Sequence, residues 1–320
     1  MIKKLLFTAA LLVPGLAYAG TPSATLPGQI APAGSDPGVP APAAAAGFTT
    51  VAINDDFSQP FWANKANWLD CNDGITSPPA SPLYYRSWVG FGFPAAPCSA
   101  VLQETDQLTG LPALHMYWKQ AFYNVSLGNE SNMLQTVNGT GGGGATGRLI
   151  PPNAYFEVTA RLVSSAATDV HWNIWSYTAN GSVNFEWDAL ETWVDNGDTT
   201  SCATLGGCTT SNPANAGFTP ISGYHRYGWR NTSDGTTASW WCFYIDDSKK
   251  GCANPSGSSL IAGLYQQTLQ ILLEQGCRGP SEPPGCGDGS QADVWISRIR
   301  VFSCAGINSS AKCFSSSPNP

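Results

Sequence analysis

Between Phe185 and Trp193 the chain reads Phe-Glu-Trp-Asp-Ala-Leu-Glu-Thr-Trp, with three carboxylates set among aromatic and aliphatic side chains. Only 12% of the chain is charged, so acids this dense in an apolar segment need a reason. In a strand, side chains alternate faces, so Glu186 and Asp188 share one. Glu191 stands an odd number of residues from Asp188 and falls on the opposite face unless a single β-bulge in the gap returns it. With that bulge, the spacing predicts a row of three acids on one concave sheet face. Two carboxyl groups held close together equip a site for glycoside hydrolysis. One attacks the anomeric carbon, while the other protonates the leaving oxygen and later activates water. Two ionised acids so close repel, so one is held protonated near neutral pH, and an aspartate between them can share a hydrogen bond and tune that division. This assigns Glu186 as nucleophile, Asp188 as modulator and Glu191 as acid/base. The competing reading is a solvated acidic edge strand, for which Phe185, Trp187, Leu190 and Trp193 are strange choices.

The elements that must position these acids read as strands. Leu114–Trp118, Tyr155–Val163, Val170–Tyr177, Val183–Trp193, Ser239–Ile245, Leu269–Leu273 and Val294–Phe302 are rich in aromatic and β-branched residues. The last of these alternates with period two. Turn-rich patches separate them, such as Asn138 to Gly144 and Asn196-Gly197-Asp198. Long helical patterns are absent. Many short strands joined by glycine turns predict an all-β fold, a two-sheet sandwich or jelly roll.

Composition bounds the setting. The start, Met1-Ile2-Lys3-Lys4 followed by an apolar run from Leu5 to Leu16 and then Ala17-Tyr18-Ala19, reads as a secretory signal over residues 1–19. Residues 20–48, with Pro27, Pro32, Pro37, Pro40, Pro42 and Ala43 to Ala46, read as a Pro/Ala-rich linker. Residues 49–320 read as one large domain. The 10 cysteines of an exported chain imply disulfides, and they fall into neighbours Cys71/Cys98, Cys202/Cys208, Cys242/Cys252, Cys277/Cys286 and Cys304/Cys313. A zinc site competes, but there is no CxxC pair and only 3 histidines. The net charge of -7 argues against nucleic acid or an anionic membrane as partner, and a monomer is expected. The 12 tryptophans suit both a core and sugar-stacking platforms. The run Gly141 to Gly144 lacks the Lys-Ser/Thr of a phosphate loop and reads as a turn.

The pattern Glu186-x-Asp188-x-x-Glu191 resembles the signature of the family 16 glycoside hydrolases, in the branch with a bulged catalytic strand that includes laminarinases, β-agarases and κ-carrageenases. Asp55-Asp56-Phe57 with Trp68 is similar to the family's opening strand. Gly147-Arg148-Leu149 followed by Tyr155-Phe156-Glu157 and Ala160-Arg161 resembles its "GRI…YFEARI" segment. Tyr224-His225-Arg226-Tyr227 with Trp229 resembles "FHxYxxxW", shortened by one or two residues. Phe243-Tyr244-Ile245-Asp246-Asp247 resembles "FYVDG", and Ile299-Arg300-Val301-Phe302 resembles "VRVY". The resemblance covers about residues 50 to 303. It implies a concanavalin-like jelly roll of two curved antiparallel sheets with an open groove, and retaining endo-hydrolysis of a β-linked polysaccharide. The acid roles it implies agree with those read from the spacing.

The chain also departs from the family pattern. The family's "WPAFW" appears here as His171-Trp172-Asn173-Ile174-Trp175, with Trp175 at the second tryptophan and His171 where the first should be. Ser297 occupies the position of an aspartate that binds structural calcium in many members, which speaks against that calcium without excluding it, and no other cofactor is expected. Trp172, Trp175 and Trp193 are the candidates for sugar stacking, His225 for a hydrogen bond to sugar or Asp188, and Arg148 for a substrate contact. The expected activity is a secreted hydrolase on a β-1,3-glucan or a β-galactan. The low basic content favours the glucan over sulfated carrageenan. The alternative is a non-catalytic carbohydrate-binding protein on the same fold.

Overall fold

The computed structural model describes residues 36–58, 101–119, 131–138, 146–147, 149–164, 170–177, 185–193, 200–205, 211–212, 223–235, 239–253, 265–275 and 291–315. Apart from the short helix α1 (Ala41–Ala45), its regular elements are strands. In chain order these begin with β1 (Thr50–Asp55), β2 (Val101–Thr105), β3 (Pro112–Lys119) and β4 (Ser131–Gln135). There follow β5 (Val137–Asn138), β6 (Thr146–Gly147), β7 (Tyr155–Ser164), β8 (Val170–Tyr177), β9 (Phe185–Trp193), β10 (Thr200–Leu205) and β11 (Ser211–Asn212). The series closes with β12 (His225–Ser233), β13 (Ser239–Ile245), β14 (Ser248–Ala253), β15 (Gln270–Gln275) and β16 (Gln291–Ser303).

An 8-stranded antiparallel sheet runs β14-β13-β12-β7-β16-β3-β2, with β1 paired to the far half of β16, and a 6-stranded sheet runs β11-β10-β9-β8-β15-β4. Strands β5 and β6 pair with each other. The two large sheets face each other through alternate residues. From the larger sheet come Phe156, Val158, Tyr227, Trp229, Val294, Ile296, Ile299, Val301, Leu114 and Met116. The smaller contributes Trp172, Ile174 and Ile271, all buried. The Trp172 and Tyr227 rings meet edge to face across the gap at 5.1 Å between centroids, and Phe156 lies flat on Trp229 at 4.7 Å. Such aromatic pairs add to what their buried area alone contributes.

Strand β16 does not alternate cleanly. Val294 and Ile296 face the core on even numbers, then Ile299 and Val301 on odd ones. The register with β7 slips between Ile296 and Arg298, leaving Ser297 as the extra residue of a bulge, its hydroxyl donating to the Thr159 carbonyl at 3.3 Å. The slip keeps both apolar pairs on the core side of a 13-residue strand.

The outer face of the 8-stranded sheet is covered in part by residues assigned from composition to the linker, and here the boundary at 48/49 needs correction. Ala43, Ala46 and Phe48 are buried in a cluster with Tyr155, Tyr244, Phe302, Cys242 and Cys313. The Gly38 carbonyl accepts a hydrogen bond from Arg300 Nη1 at 2.6 Å, and Arg300 in turn pairs with buried Glu157 at 2.6 Å. Alanine and proline carry little side-chain entropy to lose, so a short Ala-rich turn can dock at small cost even though its composition cannot build a core. Below this strap the sheet makes room for Tyr155 by a glycine. A Cβ on Gly228 would stand 2.2 Å from the Tyr155 hydroxyl oxygen.

Two expected disulfides are present, Cys242–Cys252 across the β13–β14 pair and Cys304–Cys313 beyond β16. The other three expected pairings fall on residues or side chains outside the described set, as does Trp68. Among the described residues no helix is long and apolar enough to cross a membrane.

Candidate active site

The acidic segment forms β9, the third strand of the 6-stranded sheet, flanked by β8 and β10. Against β8, Glu186 pairs with Tyr177 and Asp188 with Trp175, while Leu190 pairs with Ile174 and Glu191 with Asn173. Ala189 has no partner: the register shifts between Ile174 and Trp175. The β10 side slips at the same place, with Cys202 opposite Asp188 and Thr200 opposite Glu191. A bulge therefore lies in the gap between Asp188 and Glu191. The three acid positions stand opposite 177, 175 and 173, which alternate along β8 and share one face of it.

Burial along β8 identifies that face. Trp172, Ile174 and Ser176 are fully buried against the opposite sheet, whereas Asn173 is partly exposed. Positions 171, 173, 175 and 177 thus lie on the outer face of the smaller sheet. The acid positions lie beside them in register.

The candidate binding residues divide. Trp175 stands on the outer face opposite Asp188 and is 7% exposed. Trp193 is in register with His171 on the same face. Trp172, expected among the stacking residues, is corrected to the core, because it occupies the opposite parity of β8 and its ring meets Tyr227. His225 belongs to β12 in the other sheet, where its Nδ1 lies 2.8 Å from Asp246 Oδ2. Burial pushes the Asp246 carboxyl up, but the hydrogen bonds from His225 and the Arg226 amide outweigh it and leave its pKa below the ordinary value. Arg148 lies outside the described residues.

Sequence reasoning passed over Asn173 and Tyr177 as neighbours of the acids, although counting by two from Trp175 finds both. It also passed over a network that ties the β2–β3 turn to the larger sheet. Asp106, fully buried, receives Arg161 Nη2 at 2.6 Å, Arg161 Nε at 3.2 Å, the Tyr224 hydroxyl at 2.7 Å and the Leu108 amide at 3.0 Å. Burial pushes the Asp106 carboxyl up, yet these donors and the guanidinium charge hold it below its usual value. Arg161 also lies over the Trp295 ring at 5.3 Å, and Trp295 stacks on His115 at 4.0 Å.

Known structures share this architecture. An endo-β-galactosidase from Clostridium perfringens that releases GlcNAcα1-4Gal aligns over 81% of this chain at TM-score 0.53 and 15% identity, and this chain covers 63% of its length. A laminarinase from Flavobacterium sp. aligns over 79% of this chain and 100% of its own at TM-score 0.52 and 15% identity. A mutant of a non-specific endo-β-1,3(4)-glucanase from family GH16 aligns over 79% of this chain and 94% of its own at TM-score 0.52 and 15% identity. No family profile and no curated protein sequence matches the chain. At these identities the likeness establishes the fold, the jelly roll seen in GH16 enzymes, which is the fold the sequence resemblance implies.

Proposed function

We propose that the protein is an exported endo-β-glycanase that cleaves its polysaccharide with retention of anomeric configuration. The observation that carries this reading is the skipped Ala189, which leaves Glu186, Asp188 and Glu191 opposite three same-face positions of β8. Discounting the bulged residue, four strand steps of ~3.3 Å separate positions 186 and 191 by ~13 Å. Two glutamates, each with a reach of ~3.8 Å over three C–C bonds, can close that gap to the roughly 5–5.5 Å that a retaining pair needs.

In the reaction the Glu186 carboxylate attacks the anomeric carbon as Glu191 gives its proton to the departing glycosidic oxygen, and a covalent glycosyl-enzyme forms. The reducing-end fragment leaves. Glu191, now ionised, takes a proton from water, whose oxygen attacks the same carbon and releases Glu186. The second inversion restores the starting configuration. Asp188 between the two shares a hydrogen bond with Glu186 and steadies its charge as it alternates. Trp175 and Trp193 are the stacking candidates for the sugar rings.

The substrate class is a β-1,3-glucan or a β-galactan. The fold is shared by a laminarinase and by an endo-β-galactosidase, and the few basic residues favour the neutral glucan. A screen on laminarin, agarose, κ-carrageenan and mixed-linkage glucan tests this. New reducing ends should appear with the wild type and fall by at least about 10⁴-fold with Glu186→Gln, a change that removes the nucleophile but not the fold. Proton NMR of the first product should show the β-anomer. Initial α-anomer refutes the double displacement. Binding without cleavage of any of the glycans would make this a carbohydrate-binding protein instead.

A further inference from the structure

We infer that Arg230 forms an oxyanion site on the outer face of the larger sheet, taking the carboxylate, sulfate or phosphate group of a small ligand. The other described arginines each pair with a carboxylate. Arg161 meets Asp106 at 2.6 Å, Arg226 meets Asp247 at 2.7 Å, Arg298 meets Asp56 at 3.4 Å and Arg300 meets Glu157 at 2.6 Å. Arg230 has no such partner among the described residues, although it is only 6% exposed. Its Nε is enclosed without a hydrogen-bond acceptor. A buried guanidinium is costly unless a counter-charge or an acceptor compensates it, and an enclosed polar group left over calls for a bound water or ion. The surroundings do not compensate it. By register Arg230 stands opposite Tyr155 on β7 and Cys242 on β13, and its guanidinium lies over the Tyr244 ring at 5.9 Å. The ring attracts the charge but accepts none of the in-plane N–H groups. Glu157 is committed elsewhere on this face, its Oε1 to Arg300 Nε at 3.0 Å and Nη2 at 2.6 Å, its Oε2 to the Tyr155 hydroxyl at 3.3 Å. Asp247 is held by Arg226.

The exposed part of Arg230 suits such a ligand. Nε is sealed in, whereas Nη1 and Nη2 are not enclosed and reach the surface. The end of the guanidinium thus presents two parallel N–H donors, the fork that a carboxylate, sulfate or phosphate accepts in a bidentate, charge-assisted pair. A second cation stands nearby. Lys249 on β14 is exposed and directly opposite Tyr244. Two strand spacings and two residue steps separate its position from Arg230, or ~12 Å, which two long side chains can bracket around one anion. The net charge of -7 offers anions no general attraction, so binding here is local. Tyr155, Tyr244 and Cys242 belong to the cluster under the strap, which puts the site on the side away from the acid positions. It does not depend on the catalytic reading. The anion is either a free inorganic ion or the acid group of a saccharide, and the shared chemistry is the oxyanion.

The test titrates the full chain with sodium sulfate against sodium chloride at constant ionic strength. Nitrogen-15 NMR follows the Arg230 Nε–H signal, assigned by its loss in Arg230→Gln. Sulfate should shift that signal and saturate. By calorimetry Arg230→Gln should weaken sulfate binding by at least about tenfold, the loss expected when a bidentate charged pair is removed. Lys249→Ala should weaken it less, because an exposed charge is screened. Arg230→Lys keeps the charge but not the fork and should also bind more weakly than wild type. It carries the comparison if Arg230→Gln does not fold. Sulfate stabilises folded proteins in general, so melting temperatures are read as differences, and wild type should gain on the variant as sulfate rises. An Arg230 signal that stays put, or moves without saturating, overturns the inference, and so does equal sulfate binding by the variants at position 230. Oligogalacturonate and an uncharged oligosaccharide of the same length separate the sources. Binding of the acidic chain at least about tenfold tighter than sulfate, lost in Arg230→Gln, assigns the site to a saccharide acid. Binding of sulfate alone assigns it to a free inorganic anion. Equal binding of the uncharged chain overturns the oxyanion chemistry.

Discussion

Deleting Ala189 isolates the role of the bulge. In the register, Ala189 is the residue of β9 that pairs with neither neighbour, while Asp188 and Leu190 already oppose consecutive positions of β8, Trp175 and Ile174. Removing it leaves Glu-Trp-Asp-Leu-Glu, a regular strand in which the three acids alternate on one face without a bulge. The ladder pairs are unchanged, and so are the four strand steps between the two glutamates. Stability should change by no more than about 1–2 kcal/mol. Activity should fall by no more than about tenfold, the equivalent of about 1.4 kcal/mol in the barrier. The control is deletion of Trp187. It moves Glu186 to the opposite parity, toward the core, where an unpaired carboxylate costs several kcal/mol and the fold or the activity is lost. The assay compares reducing ends released at matched concentrations of proteins whose melting curves show a single cooperative transition. A folded Ala189 deletion with no activity, beside an active wild type, would refute the argument that face-sharing alone is what the bulge provides.

Further outcomes follow from the scaffold. Asp106→Asn keeps the shape but sets an amide N–H₂ against the Tyr224 hydroxyl and Arg161. Disrupting such a buried ion pair costs about 3 kcal/mol, or a melting temperature lower by about 6–12 °C for a domain of this size. Because the Asp106 pKa is lowered by folding, its contribution is complete above the ordinary aspartate value near ~3.9 and is lost as pH falls through the folded value. The gap between wild type and variant should therefore be full at neutral pH and shrink below about pH 4. Removing residues 1–48 exposes the surface under Phe48 and deprives Arg300 of the Gly38 carbonyl, at about 3 kcal/mol, read as a lower melting temperature. Trp172→Ala should lower stability by about 3–5 kcal/mol through a core cavity, while Trp175→Ala should chiefly raise KM. Equal stability losses for the two would contradict the parity assigned to β8.

The acid spacing alone called for a bulge between Asp188 and Glu191, because three carboxylates cannot share a face at that spacing in a regular strand. The bulge at Ser297 carried no such flag. A serine flanked by a hydrophobic and a basic residue reads as ordinary alternation until the partner strand shows the slip. Trp172 and Trp175 look alike in sequence, and only the packing of one sheet on the other decides which parity of β8 faces inward. The Asp246 partner of His225 was equally hidden, because only the pairing of β12 with β13 brings that turn carboxylate beside it. The strap was hidden for a different reason. Composition measures whether a segment can form a core, not whether it can lie against one already formed, and Ala43 and Phe48 do the latter.

That strap also sets an orientation. It lies on the outer side of the larger sheet, while the acids belong to the outer side of the smaller one, so two sheets at ~10 Å spacing separate them. The described chain therefore reaches its first strand from the side away from the acid positions. The stretch that looks most like slack in this sequence is thus a fixed part of the scaffold.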